Sequence, residues 1–288
     1  MEQIKNEKLT IEIAPMGAEL QSIKDANGKE YLWDGDEKFW PRHSPILFPL
    51  VCSVWENTYR TEGKEFQLPR HGFARDMEFK LVGKTADRVT FALHDSEETL
   101  EKYPYHFNLA ISYRLEDNKI HVIWHVENTD TRTIHFQIGG HPAFLVPGCE
   151  KGEELKGAIR IDNAAPERIY GTTGGCLAEG YHKFPTDGGV WRFKEEDFED
   201  DAVIFDRSQV KQISLLDETE KPVVILDFKT PCVGIWSPAG KHAPFLCIEP
   251  WYGVSDWAEY QGEFKDKYLM NSLLPGSSFM SEYTITIE

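Results

Sequence analysis

Between Phe107 and Leu115 the apolar side chains occupy every second position, Phe107, Leu109, Ile111, Tyr113 and Leu115, with Asn108, Ala110, Ser112 and Arg114 between them. Successive side chains on a strand point to opposite faces, so this spacing predicts a half-buried β-strand. After the turn sequence Glu116-Asp117-Asn118-Lys119, the residues Ile120, Val122, Trp124 and Val126 repeat the pattern, and the two segments read as a hairpin. Tyr283, Ile285 and Ile287 carry the same period at the C-terminus. Shorter runs predict strands over residues 9–14, 20–23, 79–82, 89–93, 134–138, 212–216 and 223–228, separated by turn signals such as Asn27-Gly28 and the stretch 217–220. Helical spacing is confined to short pieces such as 97–103. Many strands without alternating helices argue for a large antiparallel all-β sandwich rather than a parallel α/β fold.

No Pro-, Gly- or Ser-rich linker and no internal repeat interrupts this pattern, so one domain over 1–288 is the simplest organisation. With 41% hydrophobic and 27% charged residues the chain can bury a sizeable core. A formal net charge of -17 repels phosphate polymers and anionic membranes, which points away from nucleic acid and toward a small ligand. Neither a signal-type h-region nor a run of roughly 20 apolar residues is present, and a cytoplasmic location is expected. The five cysteines, Cys52, Cys149, Cys176, Cys232 and Cys247, are odd in number and form no CxxC pair, so most of them read as buried thiols rather than a disulfide or zinc framework.

Three segments break the alternation and gather polar residues beside Gly, Pro and aromatics: 69–75 (Pro-Arg-His-Gly-Phe-Ala-Arg), 139–144 (Gly-Gly-His-Pro-Ala-Phe) and 247–252 (Cys-Ile-Glu-Pro-Trp-Tyr). Each resembles a strand end entering a loop, where sites commonly form on a rigid sheet. Gly139-Gly140 permits close backbone approach, and Pro142 biases His141 toward an extended conformation that would hold its imidazole rigidly. A structural histidine fits the same features. Glu249 lies between the apolar run 245–248 and Pro250-Trp251, surroundings that could desolvate a carboxylate and raise its proton affinity, although a partly exposed strand-end glutamate fits as well.

His71, with Arg70 and Arg75 nearby, gathers hydrogen-bond donors that could face the oxygens of a polar ligand; solvated loop charges explain the same spacing. His121 and His125 fall on the polar face of a regular strand and read as surface or packing residues. The acidic run 195–201, interrupted only by Phe198, reads as a solvated loop whose last residues could touch a ligand.

Taken in this order, the three segments resemble the motifs of the aldose 1-epimerase or galactose mutarotase family, especially its LacX-like branch, and the resemblance runs along essentially the whole chain. His-Pro-Ala-Phe after paired glycines and Glu-Pro-Trp near the C-terminus are quite specific together; His-Gly-Phe-Ala-Arg is moderately specific alone. The resemblance implies a galactose mutarotase-like β-supersandwich with an open sugar cleft and no metal or other cofactor. By it, His141 matches the general acid, Glu249 the general base and His71 a second histidine near the reacting oxygens. It also places an acidic substrate-binding residue in 200–205, where Asp200 and Asp201 both fit and Asp201 is taken.

The chain departs from the family after Pro49, where related proteins often carry Gly-Arg and this one has Cys52-Ser53; the family's sugar-binding arginine is then either absent or supplied by Arg42, Arg70 or Arg75. Trp251, Tyr252 or Phe73 could stack on a sugar's C–H face.

The implied reaction interconverts α and β anomers of an aldohexose or related sugar by acid–base ring opening and reclosure. Three alternatives remain at this level. A hexose-phosphate 1-epimerase would use the paired Arg70 and Arg75 on phosphate. A noncatalytic carbohydrate-binding protein would need the aromatics but no acid and base. A metal-dependent enzyme would use His71, His141 and Glu249 as a two-His-one-carboxylate set.

Overall fold

The protein is described by a computed structural model covering residues 1–169, 172–178 and 180–288. The predicted hairpin forms as Phe107–Glu116 and Lys119–Asn128, paired antiparallel from Lys119 opposite Glu116 to Asn128 opposite Phe107. Asp117 takes the left-handed turn conformation that joins them, at φ +51°. This hairpin lies inside a nine-stranded antiparallel sheet, with two strands on one side of it and five on the other. On one side it continues through Arg88–His94 to Lys80–Lys84. On the other it continues through Ser278–Ile287, Pro222–Phe228, Gln212–Leu216, Lys156–Ile161 and Val190–Lys194.

A second, eight-stranded sheet runs Tyr181–Lys183, Glu167–Ile169, Val203–Phe205, Cys232–Trp236, Phe245–Tyr252, Ile138–Gly140 and Ile46–Leu47, with Ala143–Leu145 also paired on Phe245–Tyr252. Trp124, Tyr283, Ile285 and Leu226 of the large sheet share one buried core with Phe144, Leu246 and Ile248 of the second. A fully buried Leu, Ile or Phe contributes about 1.5–3 kcal/mol over its exposed state, so this layer outweighs any single polar contact in holding the sheets together. The architecture is the all-β sandwich expected from the alternation. A short helix, Glu97–Lys102, occupies the predicted helical stretch and is capped reciprocally by Ser96 and Thr99.

Several expectations are corrected. The run 134–138 is not one strand: Ile134–Phe136 pairs with Asn271–Leu273, while Ile138–Gly140 joins the second sheet. The fully buried Gln137 sits at the break, its side chain accepting from Val51 N–H and donating to the Tyr268 carbonyl, so hydrogen bonding away from the sheet divides the two pieces. The acidic run is not simply a solvated loop. Glu195–Phe198 forms a 3-10 turn in which Phe198 enters the core and the buried Glu195 accepts hydrogen bonds from His242.

The C-terminal motif is not a strand end either. Phe245–Tyr252 is a single strand buried on both faces, and such a strand produces a continuous apolar run without period two. Leu246 and Ile248 face the core between the sheets, whereas Phe245, Cys247 and Trp251 belong to clusters on the opposite face. Alternation puts Glu249 on that opposite face as well. Among the described residues no helix is long and apolar enough to cross a membrane.

Candidate active site

Glu249 stands in the middle of this strand, opposite Gly234 of Cys232–Trp236. Trp251, two residues on and hence on the same face, lies flat across the sheet: a Cβ on Gly234 would come within 2.2 Å of its ring and one on Gly139 within 2.5 Å. Gly140, on the other face, leaves room for Tyr283 of the large sheet, whose hydroxyl a Cβ there would meet at 2.8 Å. The paired glycines therefore serve close approach on both sides of the strand. His141 follows them, between Ile138–Gly140 and Ala143–Leu145, where the Pro142 carbonyl accepts from Ile248 N–H and anchors the segment to the strand of Glu249.

His71 arrives from the loop after Lys64–Gln67, with the backbone at φ +68° and Gly72 at φ +70°. Its N–H donates to the Cys52 carbonyl at 2.7 Å, and Cys52 N–H donates to His71 Nδ1 at 3.1 Å. An accepting Nδ1 places the ring proton on Nε2. The 3.3 Å approach of Arg70 Nε to that nitrogen is then a contact between two donors rather than a bond, and both can donate to one ligand oxygen. The Cys52–Trp55 segment is braced in turn: Asp256 accepts from Trp55 N–H, donates its own N–H to the Ser53 carbonyl, and lies 3.1 Å from the buried Lys267 ammonium.

His71, His141 and Glu249 converge on one cavity of about 290 Å³, which Arg70, Arg75, Asp201 and Trp251 also line. These seven candidates from the sequence are thus brought together, while Arg42, Phe73 and Tyr252 are not, and Trp40, Trp236 and Ala202 complete the lining. Trp40 stacks on the His141 ring (centroids 5.1 Å, 27°), Trp236 meets it edge-on at 5.8 Å, and His71 at 5.4 Å. Trp251 is only 1% exposed, so it forms a floor rather than an open stacking platform; Tyr252 and Phe73 lie outside the lining. Trp40 comes from a stretch without periodicity, Trp-Pro-Arg-His over 40–43, and that clustering was its only trace in the sequence. Trp236 becomes part of the site only through strand pairing.

Of the three arginines proposed to replace the family's cation, Arg42 pairs with Asp76 at 2.8 Å outside the lining, while Arg70 and Arg75 reach the cavity. The Arg70 guanidinium is held in bidentate fashion by Asp201, at 2.7 and 2.9 Å, which singles out Asp201 over Asp200 as the cavity carboxylate. Arg75 donates to the Arg70 carbonyl at 2.8 Å, and burial brings its pKa down to about 10.

The His141 Nε2 lies 3.1 Å from Glu249 Oε2, an ion-pair distance without hydrogen-bond alignment, so both carboxylate oxygens lack a donor. Burial raises the Glu249 carboxyl well above its ordinary value, against the pull of Arg70, and lowers His141 well below its own, assisted by Arg75. Burial, followed by the neighbouring His141, lowers His71 likewise. A neutral His141 with a protonated Glu249 holds the same single proton as an imidazolium facing a carboxylate, so the pair interconverts between the two by moving one proton.

Of the fourteen buried side-chain polar atoms without a partner among the described residues, five belong to this lining: Arg75 Nε, His141 Nδ1, both Glu249 oxygens and Trp251 Nε1. Unpaired buried groups cost about 1–3 kcal/mol each, so their concentration here marks the cavity as a candidate site for a polar ligand. The trio that the metal-dependent alternative would use, His71, His141 and Glu249, is not the cluster the structure forms. Among the described residues the only compact ligand set is His141, Cys247 and Glu249, with Cys247 in place of His71.

The raised Glu249 pKa has a measurable consequence. A group whose folded pKa exceeds its unfolded value contributes stability that is full below the unfolded pKa and is lost as pH rises through the folded one. Glu249→Gln removes this titration and leaves His141 in both proteins. The Tm of Glu249→Gln minus that of the wild type should therefore increase from about pH 5 to about pH 8. A difference that stays constant across thermal melts in this window would show an unshifted carboxylate.

A family model described as aldose 1-epimerase matches residues 2–167. The chain is 32% identical to the chromosomal LacX protein of Lactococcus lactis, over 99% of this chain and 98% of that one. It is 29% identical to an Escherichia coli protein named as a candidate glucose-6-phosphate 1-epimerase, over 60% of this chain and 56% of that one. The crystal structure of a galactose mutarotase-like protein from Lactobacillus casei superposes with a TM-score of 0.94 at 31% identity, covering all of both chains. With the sandwich, its cavity and these likenesses together, the chain belongs to the aldose 1-epimerase family of isomerases.

Proposed function

We propose that the protein interconverts the α and β anomers of an unphosphorylated aldohexose or a closely related sugar, with Glu249 and His141 as the only proton carriers. The observation that carries this reading is the desolvated pair 3.1 Å apart at one cavity wall. The anomeric hydroxyl and the ring oxygen are bonded to the same carbon, so the base that deprotonates one and the acid that protonates the other must be close neighbours. Each must also come within about 2.6–3.2 Å of its oxygen.

Glu249 as carboxylate takes the anomeric proton while His141 as imidazolium gives one to the ring oxygen, and the C1–O5 bond opens to the aldehyde. Rotation about C1–C2 presents the other carbonyl face, and the reverse transfers close the ring. The neutral His141 and protonated Glu249 favoured by burial are the state reached after opening, which primes reclosure. Trp40 and Trp236 flank the His141 imidazole, so water has little access to it. His71 Nε2–H and Arg70 Nε–H are placed to hold a sugar hydroxyl, and Arg75 Nε offers a further donor. No electron transfer is involved, and two side chains suffice for the proton movements.

Against a phosphorylated substrate stands the Arg70–Asp201 pairing. The guanidinium edge that carries both terminal nitrogens of Arg70 already donates in bidentate fashion to a carboxylate, which offsets its charge and leaves only the Nε side for a ligand. Free hexoses should accordingly show higher kcat/KM for anomer exchange than their 6-phosphates, and inorganic phosphate should not compete. Polarimetry on freshly dissolved sugars decides this: a clear preference for the 6-phosphate would transfer the assignment to the phosphate branch, and no acceleration of any sugar would leave only a binding role.

A further inference from the structure

We propose that His141, Cys247 and Glu249 form an inhibitory site for a thiophilic divalent cation of the zinc class, with the metal seated where the catalytic proton is shared. Cys247 and Glu249 are two residues apart on one strand and so present their side chains to the same face, and His141 stands against that face. One ligand atom from each of the three lies within 4.8 Å of the other two, and all three residues are buried. The two oxygens of Glu249, 1% exposed, line the cavity with no donor in hydrogen-bond alignment among the described residues, Trp251 being the neighbouring N–H, so a cation there meets lone pairs that are still available.

Thiolate, imidazole and carboxylate together suit zinc and cobalt at about 2.0–2.3 Å and disfavour magnesium and calcium, which take oxygen ligands. Three protein ligands leave a fourth coordination position toward the cavity. The binding step balances as cation plus Cys247 thiol plus the protonated His141–Glu249 pair, giving the three-ligand complex and two protons, so affinity rises with pH. Cys247 takes no part in the proton transfers proposed for the sugar; it backs the pair in a cluster with Trp33, Ala143 and Phe245.

The inhibitory consequence rests on the reading of His141 and Glu249 as the proton carriers, whereas metal binding itself does not. The test therefore has two arms. In the first, the full chain is titrated with cobalt(II) and followed by absorbance. A sulfur-to-cobalt charge-transfer band should appear, be displaced by zinc(II) but not by magnesium, persist in Cys149→Ala, and vanish in Cys247→Ala. If Cys247→Ala is unstable, Cys247→Ser, judged folded by circular dichroism, takes its place, and Glu249→Gln should weaken cobalt binding by about tenfold or more. No band, or a band unchanged in the folded Cys247 variants, overturns the site. In the second arm, zinc(II) should inhibit anomer exchange competitively with sugar and reversibly with chelator, and Cys247→Ala should keep wild-type turnover while losing at least about tenfold in zinc sensitivity. Zinc bound with no effect on anomer exchange would keep the site and overturn the assignment of its ligands to the acid–base pair.

Discussion

Glu249→Gln and His141→Asn each lower anomer exchange at saturating sugar by about 10² to 10⁴, the usual contribution of a positioned general acid or base. Each substitution keeps the volume and removes one proton carrier. The pair shares a single proton across 3.1 Å, so losing either member stops transfers in both directions, and the double variant should fall little further than the worse single one. A residue that only positions sugar would instead raise KM and leave kcat nearly intact. His121→Asn serves as the control: its side chain lies on the outer face of Lys119–Asn128, contacting Thr284 and Glu116, and turnover should be unchanged. Wild-type kcat in either folded site variant, measured by polarimetry with folding checked by circular dichroism, would end the acid–base assignment.

Gly72→Ala should be among the most damaging single-methyl changes. The backbone there is left-handed at φ +70°, a conformation that costs a residue with a Cβ about 1–2 kcal/mol. The new methyl would also sit 2.2 Å from the Phe48 carbonyl oxygen, which accepts from Phe73 N–H and Ala74 N–H and so cannot simply turn away. Overpacking of this kind costs about 1–3 kcal/mol more. The total of about 2–5 kcal/mol compares with a typical stability of about 5–15, and corresponds to a Tm loss on the order of 4–20 °C.

Gly28→Ala carries the backbone contribution alone, because Gly28 has a similar φ of +83° but a Cβ there meets nothing within 4 Å, so the difference between the two variants isolates the overpacking. Gly72→Ala should also lower kcat/KM, since moving His71 off Cys52 frees its ring tautomer. Melting curves in which Gly72→Ala costs no more than Gly28→Ala would show that the Phe48 contact gives way.

Strand alternation made much of the large sheet legible, because each of its central strands buries one face and exposes the other, and period two is the direct record of that. It failed for Phe245–Tyr252, where both faces are covered and the period vanishes. It failed at Gln137 too, where a buried amide turns the chain from one sheet to another. Short strands such as Ala143–Leu145 and Ile46–Leu47 carry too few residues for any period to register.

For the site, the sequence by itself determined the chemical inventory: Glu249 among apolar neighbours, His141 after paired glycines, His71 between arginines. These are local facts of composition, and a resemblance of motifs gave them roles. Only the tertiary structure decided which groups meet. Asp201, 131 residues from Arg70 in the chain, closes on both terminal nitrogens of its guanidinium. Trp40 and Trp236 wall His141 from two separate segments. Cys247, read as a buried thiol, comes to stand beside the acid–base pair. The direction of the proton-affinity shifts depends on the same folding, because desolvation is a property of everything packed around a group, contributed here by strands distant in sequence, and no local run of residues specifies it.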